Sequence, residues 1–315
     1  MKKAKMLTRR KVGDTVFKAI VCSVLTVYVL GIVFLLAWGL MTSLKSRMDF
    51  SINGNVVGLP SWKWSKDQIL LGNYKTVLEK FNIVSSSSFY AGNTLIKHQT
   101  KSNIWVMLYN TVIYAGLAAV LTTLCSYTVA YLCAKYKFKF SKFIYVYALF
   151  IMTVPTIGTA PAMITLLRRL SIYDTQWAHI IQKFNFSGMY FFVFFAFFEG
   201  LSDAYNEAAE IDGASQLRIF TSIIIPLGSK MIGSVLLINF VTYWNDYNAA
   251  IMYAPTLPTL AYGVYYLCNE GGNAELKHTP GLVSACMLLA VPIVIAFVFL
   301  KDKLMGNVSL GGVKG

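Results

Sequence analysis

Apolar and polar positions fall into long blocks along this chain instead of alternating at a short period. Residues 19–44, 102–134 and 281–300 carry no charge, the last containing Pro292. A further uncharged block, 143–167, is interrupted by Pro155, Gly158 and Pro161. Another falls within 178–200, with Lys183 toward its outer end and an aromatic stretch from Met189 to Phe198. Residues 231–253 are uncharged except for Asp246. About 20 apolar residues wound as a helix match the bilayer hydrocarbon, so the pattern predicts an all-α integral membrane protein with six transmembrane helices. The block at 19–44 is too long for a signal peptide and lacks an A-x-A site, and reads as a retained first span.

The segments between the blocks set the orientation. Residues 1–18 hold seven Lys or Arg and one acid, and Lys135, Lys137, Lys139 and Lys142 cluster after the second block. Short basic segments stay inside, which places the N-terminus, the Lys301-Asp302-Lys303 end and the 305–315 tail in the cytoplasm. Arg168, Arg169 and Asp174 then mark the outer side, where Lys183 would snorkel to the interface. Residues 45–102 carry eight Lys or Arg, three acids, a Ser85–Ser88 run and an Asn53-Gly54 turn. They read as a long extracytoplasmic loop, either a tolerated insertion or a docking surface. Residues 103–304 form the five-helix core. Thr111, Ala115 and Ala119 give a small-residue stripe suited to close helix contact. Pro155, Gly158 and Pro161 mark either simple kinks or a helix lining a pathway.

Composition narrows the function classes. Of 315 residues, 56% are hydrophobic and 13% charged, too little charge to coat a soluble enzyme. The net charge of +14 suits topology and lipid headgroups, and no basic run or finger spacing points to nucleic acid. Cys22, Cys125, Cys133, Cys268 and Cys286 read as small buried hydrophobes. His98, His179 and His278 form no metal-ligand pair. No phosphate-binding glycine motif occurs, so no catalytic residue, cofactor or metal is expected. Asp246 inside a span is costly. Beside Trp244 and Asn245 it lines a solute path or belongs to a polar packing cluster.

One inside loop breaks the charge pattern: Glu199, Asp203, Glu207, Glu210 and Asp212 are five of the chain's fourteen acids. Its pattern predicts a helix from Asp203 to Ile211 stopped by Gly213, then a second helix from about Ser215 to Pro226. Such a pair is either a knob for a cytosolic partner or an amphipathic element lying on the membrane.

Glu207-Ala208-Ala209, three residues, Gly213, nine residues, Ile223, one residue and Ile225-Pro226 resemble the EAA loop of ABC-importer permeases. That pattern is E-A-A-x3-G-x9-I-x-L-P, from which Ile225 departs conservatively. The run Glu207 to Ser215 is similar to the carbohydrate-importer version. Tyr243-Trp244-Asn245-Asp246-Tyr247 and the stretch Leu257 to Gly263 resemble the family's fifth-span segments. Leu170 to Thr175 resembles the connection before span four, with Ser171 in place of glycine, and Gly311 to Gly315 resembles the tail of the maltose-type second permease. The likeness covers residues 104–315; the 45–102 stretch matches nothing specific.

The resemblance implies a permease subunit of an ATP-driven importer for a sugar or oligosaccharide, in a bacterial or archaeal inner membrane. A polyol or glycerol-phosphate permease is the alternative, and a secondary transporter a more distant one. Implied partners are a homologous second permease, two cytosolic ABC ATPase subunits, an external solute-binding protein and membrane lipid. The loop at 202–228 would couple to the ATPase through Glu207, Ala208, Ala209, Asp212, Gly213, Ile223 and Pro226. Glu207 would pair with a basic residue, the alanines would permit close approach, and Pro226 would end the second helix. Trp244, Asn245 and Asp246 would line the substrate path.

Overall fold

The computed structural model describes residues 2–61, 71–91, 94–136, 138–154, 158–271 and 275–304. Pro155 and the tail from 305 onward lie outside them. The chain divides into two compact units, Met1–Glu79 with Glu275–Leu288, and Lys80–Ala274 with Leu289–Gly315.

In the first unit, α1 (Lys2–Ser43) is a continuous helix; its Thr15–Ser43 stretch includes an 18-residue run with a mean hydropathy of 2.7 and no residue buried within the chain, and it buries Gly39, Thr42 and Ser43 at its C-terminal end. Its C-terminal carbonyls need partners, as at any helix end. Asn73 on α2 (Gly72–Lys80) donates to the carbonyls of Ser43 and Lys45, both at 2.8 Å. Ser284 Oγ also donates to the Ser43 carbonyl, at 3.0 Å. Lys45 turns inward and donates to the carbonyls of Asn55 (2.8 Å) and Val56 (3.0 Å). Burial pushes its ammonium pKa below the ordinary value, against the attraction of Asp49. Asp49 in turn accepts from Asn55 Nδ2 (3.1 Å) and from the Ser61 amide (3.0 Å). The start of the 45–102 stretch is thus a hydrogen-bonded knot.

The second unit opens with an antiparallel hairpin, β1 (Asn82–Ala91) and β2 (Thr94–Asn103), in register from Asn82 opposite Asn103 to Ala91 opposite Thr94. Ile83, Ser85 and Ser87 face inward and Val84, Ser86 and Ser88 outward, the two-residue period of a strand. The expectation of an all-α chain is corrected here: the fold is mostly helical, with this one two-stranded sheet among the described residues. The serine run hid it, because serine gives no apolar alternation.

Asn103 caps α3 (Ile104–Lys135) by accepting the Val106 amide at 3.0 Å. At 1.5 Å per residue this helix is about 48 Å long. Beyond it lie α4 (Lys139–Thr153), α5 (Thr159–Arg169), α6 (Gln176–Ile181) and α7 (Met189–Glu199). Then come α8 (Ala204–Ile211), α9 (Gln216–Ile219), a π-helical turn (Phe220–Ile224) and α10 (Ile225–Leu227). The unit continues with α11 (Ser229–Trp244), α12 (Tyr247–Tyr253) and α13 (Leu260–Tyr266), and α14 (Thr279–Leu304) closes the described chain.

Helix α3 packs on α7 and α11, and its Ala115, Ala118 and Ala119 are fully buried; small side chains let backbones approach. Phe191, Phe194 and Phe198, on one face of α7, bury against Tyr127 and Tyr131 of α3. Of the five cysteines only Cys133 is buried, and Cys22, Cys268 and Cys286 point outward.

Among the described residues only α1, α3 and α14 are long and apolar enough to cross a membrane unbroken. A fourth candidate is the pair Gln216–Leu227 and Ser229–Trp244, bent by 74°. The third, fourth and fifth expected spans are therefore not continuous helices. They are interrupted between α4 and α5, between α6 and α7, and at Asn245-Asp246 between α11 and α12.

Candidate functional site

The acidic loop is built from two short helices joined at a left-handed residue. Gly200 ends α7, and α8 starts after Asp203, whose carbonyl receives the amides of Asn206 and Glu207. At the other end Gly213 has φ +76°. Its amide donates to the Glu210 carbonyl, and the Ala214 amide reaches back to the Ala209 carbonyl. This six-to-one and five-to-two pairing is a Schellman motif, whose left-handed position favours glycine. Gly213 therefore stops the helix by satisfying its carbonyls. Ser215 restarts the chain, accepting the Arg218 amide.

The second helix runs from Gln216 to Leu227, one residue beyond Pro226, and only Ile225 separates the π-helical turn at 220–224 from the proline. In a regular α-helix the Pro226 ring would collide with the Ser222 carbonyl; the wider turn accommodates it. Gly228 then makes the bend into α11.

Of the seven residues singled out in this loop, Ala208, Ala209, Asp212 and Ile223 meet along one groove of about 510 Å³, joined by Tyr205. Glu207 and Pro226 are exposed and do not line it, and Gly213 lies at the bend beside it. Sequence reasoning missed Tyr205. It also missed the ties from α3. Lys135 Nζ binds the Leu201 carbonyl and the Asp203 carboxylate (2.7 Å), and Tyr136 donates to Gln216 Oε1. Gln216 Nε2 in turn donates to Glu210 at 2.7 Å. Lys135 opens the basic cluster that served only as an orientation signal, and nothing local distinguishes it from its neighbours.

The second polar centre is the break between α11 and α12. Asp246 caps α12, its Oδ1 accepting the Ala249 amide at 3.1 Å. Its Oδ2 accepts from Tyr114 OH of α3 and pairs with Lys183 Nζ, both at 2.9 Å. Lys183 therefore does not snorkel outward; its ammonium also lies 5.4 Å from the Tyr243 ring centre. Trp244 is 1% exposed and its indole donates to the Leu289 carbonyl of α14 at 3.1 Å. Asn245 is exposed, with its amide turned back on the Val241 carbonyl. The three adjacent residues thus face three different surroundings.

A bundle of apolar helices, several of them broken, with a bent helix pair projecting acids from one loop, is the architecture of a multi-pass solute permease. The family described as "Binding-protein-dependent transport system inner membrane component" matches residues 126–307, more than half of the chain, and the chain belongs to that family. It resembles a putative ABC transporter permease, ORF2 of Caldicellulosiruptor sp. (strain Rt8B.4), at 26% identity over 88% of this chain and 90% of that protein. Identity to the melibiose/raffinose/stachyose import permease MelC of Bacillus subtilis is 28%, over 88% and 89% of the two chains. Among solved structures, a bacterial ABC transporter that imports the acidic polysaccharide alginate superposes with a TM-score of 0.72. It covers 92% of this chain and 97% of that one at 19% identity, a likeness of fold. The chain is accordingly a membrane permease subunit of an ABC importer, which works with an ATPase and a solute-binding protein and is not itself an enzyme.

Proposed function

We propose that this chain is one of two homologous permease subunits of a bacterial or archaeal importer for a sugar or oligosaccharide. It docks a pair of ABC ATPases through the 202–228 loop and receives solute from an external binding protein. The observation that supports the reading most directly is the bent helix pair itself. Gly213 fixes its angle, exposed Glu207 supplies a charged rim, and the Ala208–Ala209 surface opens onto a groove. Small side chains admit a close partner, and rim charges give orientation more than affinity. The sugar class rests on family membership and on the solutes named for the relatives.

In this reading the chain crosses the membrane six times, three times as unbroken helices (α1, α3, α14) and three times as broken ones, with both termini cytoplasmic. Trp244, Asn245 and Asp246 stand at one of the breaks and border the solute path. ATP-driven closure of the ATPase pair moves the loop and switches the bundle between inward- and outward-facing states, a rigid-body transition.

Gentle purification of the tagged chain from its own host tests the assembly. An ABC ATPase, a second permease and a solute-binding protein should accompany it, and recovery of this chain alone after crosslinking would refute the reading. Glu207→Lys, and Gly213→Pro, which φ +76° does not admit, should leave membrane insertion intact while separating ATP hydrolysis from uptake. Normal uptake in either variant would exclude the loop as the coupling element.

A further inference from the structure

A loop that docks an ATPase transmits force only as far as it is fastened to a span. The covalent connections of the 202–228 loop are poor fasteners. It leaves α7 through Gly200 and enters α11 through Gly228 across a 74° bend. Its firm attachments are side chains from α3, a helix that precedes it in the chain and is separated from it by α4 to α7.

Those attachments form one stripe. Tyr127, Tyr131 and Lys135 follow at four-residue intervals, so they share a face of α3, and Tyr136 caps its end. Tyr127 OH donates to the Ile224 carbonyl in the π-helical turn at 2.6 Å. Tyr131 lies against Phe220 with ring centres 5.2 Å apart and the rings tilted by 35°. Lys135, its side chain 6% exposed, binds both the Leu201 carbonyl and Asp203, and Tyr136 holds Gln216, which holds Glu210. The grip therefore spans the start of the loop, both its helices and the turn before Pro226. Among the described residues α3 is also the one helix lying wholly within this unit that qualifies as an unbroken span.

Resting on the coupling reading above, we infer that Lys135 and Tyr136 are positioning residues for transport. They lock the ATPase-docking loop to α3, so that α3, rather than the spans adjoining the loop in sequence, carries its movement into the membrane. The other end of the same helix holds the break in the α11–α12 span through Tyr114, and the start of α13 through Asn110 and Thr111. Asn110 donates to the Pro258 carbonyl, Thr111 Oγ1 accepts the Leu260 amide, and Tyr114 donates to Asp246. A displacement applied at Lys135 therefore arrives at the α11–α12 break without crossing a hinge.

The test uses the complete importer reconstituted in proteoliposomes, with Lys135→Met, Lys135→Arg and Tyr136→Phe in this chain. Tyr136→Phe keeps the ring that packs on Tyr131 and removes only the hydroxyl. The ATPase should co-purify at wild-type stoichiometry with every variant. Uptake per ATP hydrolysed should fall about tenfold in Lys135→Met, the ratio that loss of one charge-assisted hydrogen bond corresponds to. Tyr136→Phe should lower it by a smaller factor, and Lys135→Arg should restore most of the ratio. Spin labels on exposed sites of α3 and α8 should keep a fixed separation through the nucleotide cycle in wild type and lose it in Lys135→Met. Unchanged uptake per ATP in both Lys135→Met and Tyr136→Phe, or a wild-type α3–α8 distance that changes with nucleotide, would overturn the inference. Failure of the wild-type chain to hold an ATPase would refute the functional reading itself and is read separately.

Discussion

Replacing Asp246 by asparagine isolates the ion pair at the broken span. The carboxylate receives two donors on Oδ2, Lys183 Nζ and Tyr114 OH, each at 2.9 Å, and the Ala249 amide on Oδ1. Asparagine keeps an oxygen for the amide cap and turns an NH2 toward the other two groups. Tyr114 can rotate its hydroxyl to accept, whereas Lys183 is left as a cation facing a donor. Stranding one member of a fully buried pair costs about 3–5 kcal/mol. Here the side chains are 25% and 16% exposed and Lys183 retains the Tyr243 face, so the expected loss is about 2 kcal/mol. Removing the cation as well, in Asp246→Asn with Lys183→Met, should bring stability back to within about 1 kcal/mol of wild type. Equilibrium unfolding in mixed micelles, run as a double-mutant cycle, reads both numbers. A single variant indistinguishable from wild type, or a double variant less stable than Asp246→Asn, would refute the assignment of Lys183 as the partner of Asp246.

Three further outcomes follow from local geometry. A Cβ at Gly228 would lie 2.2 Å from Tyr127 OH, and Phe194 and Phe198 hem in that ring. Gly228→Ala should therefore cost about 1–3 kcal/mol in detergent unfolding, while Gly31→Ala, with open space around it, should cost nothing. Trp244→Phe keeps the packed ring but forfeits the bond to the Leu289 carbonyl; it should lower stability by about 1 kcal/mol, read in the same detergent unfolding. His278 Nδ1 accepts the Gly281 amide at the start of α14, and burial together with Arg47 holds its pKa below 6.5. The neutral ring is the capping form, so its contribution is complete above pH 6.5 and declines as pH falls toward the lowered folded-state value; unfolding of His278→Asn across pH 5–8 should lack that decline.

Much of this molecule was legible because bilayer solvation writes itself into composition. Charge-free runs located α1, α3 and α14, and the spacing from Glu207 to Gly213 located a helix stop that the backbone realises as a Schellman motif. What stayed hidden depended on partners remote in sequence. Lys183 near the end of an apolar run resembles any snorkelling lysine until Asp246 is placed beside it. Lys135 resembles its basic neighbours until Asp203 reaches it. The break at Asn245-Asp246 did leave a local trace, since both residue types favour helix N-caps, but an apolar run on either side outweighed it. The hairpin left less, because Ser85 and Ser87 bury as readily as Ser86 and Ser88 stay exposed and the alternation cannot be seen in four identical letters.

Broken spans are costly in hydrocarbon, since every freed backbone group needs a partner and the bilayer offers none. This fold meets that demand largely from one helix. Asn110, Thr111 and Tyr114 lie on neighbouring turns of α3 and serve, respectively, the Pro258 carbonyl, the Leu260 amide and the Asp246 cap. Thr122, further along, donates to the Lys183 carbonyl at 2.5 Å. Asp174 completes the set from the α5–α6 connection, accepting the amide and hydroxyl of Thr256 at 2.9 and 2.8 Å. A continuous helix that satisfies discontinuous ones has a mechanical consequence. The breaks at Asp246 and at Lys183 are held where Tyr114 and Thr122 can reach them, so a shift of α3 moves these two breaks with it or leaves their polar groups bare. Satisfying the backbone at these breaks and holding them to α3 therefore fall to the same side chains, Tyr114 and Thr122, set on either side of the fully buried Ala115, Ala118 and Ala119.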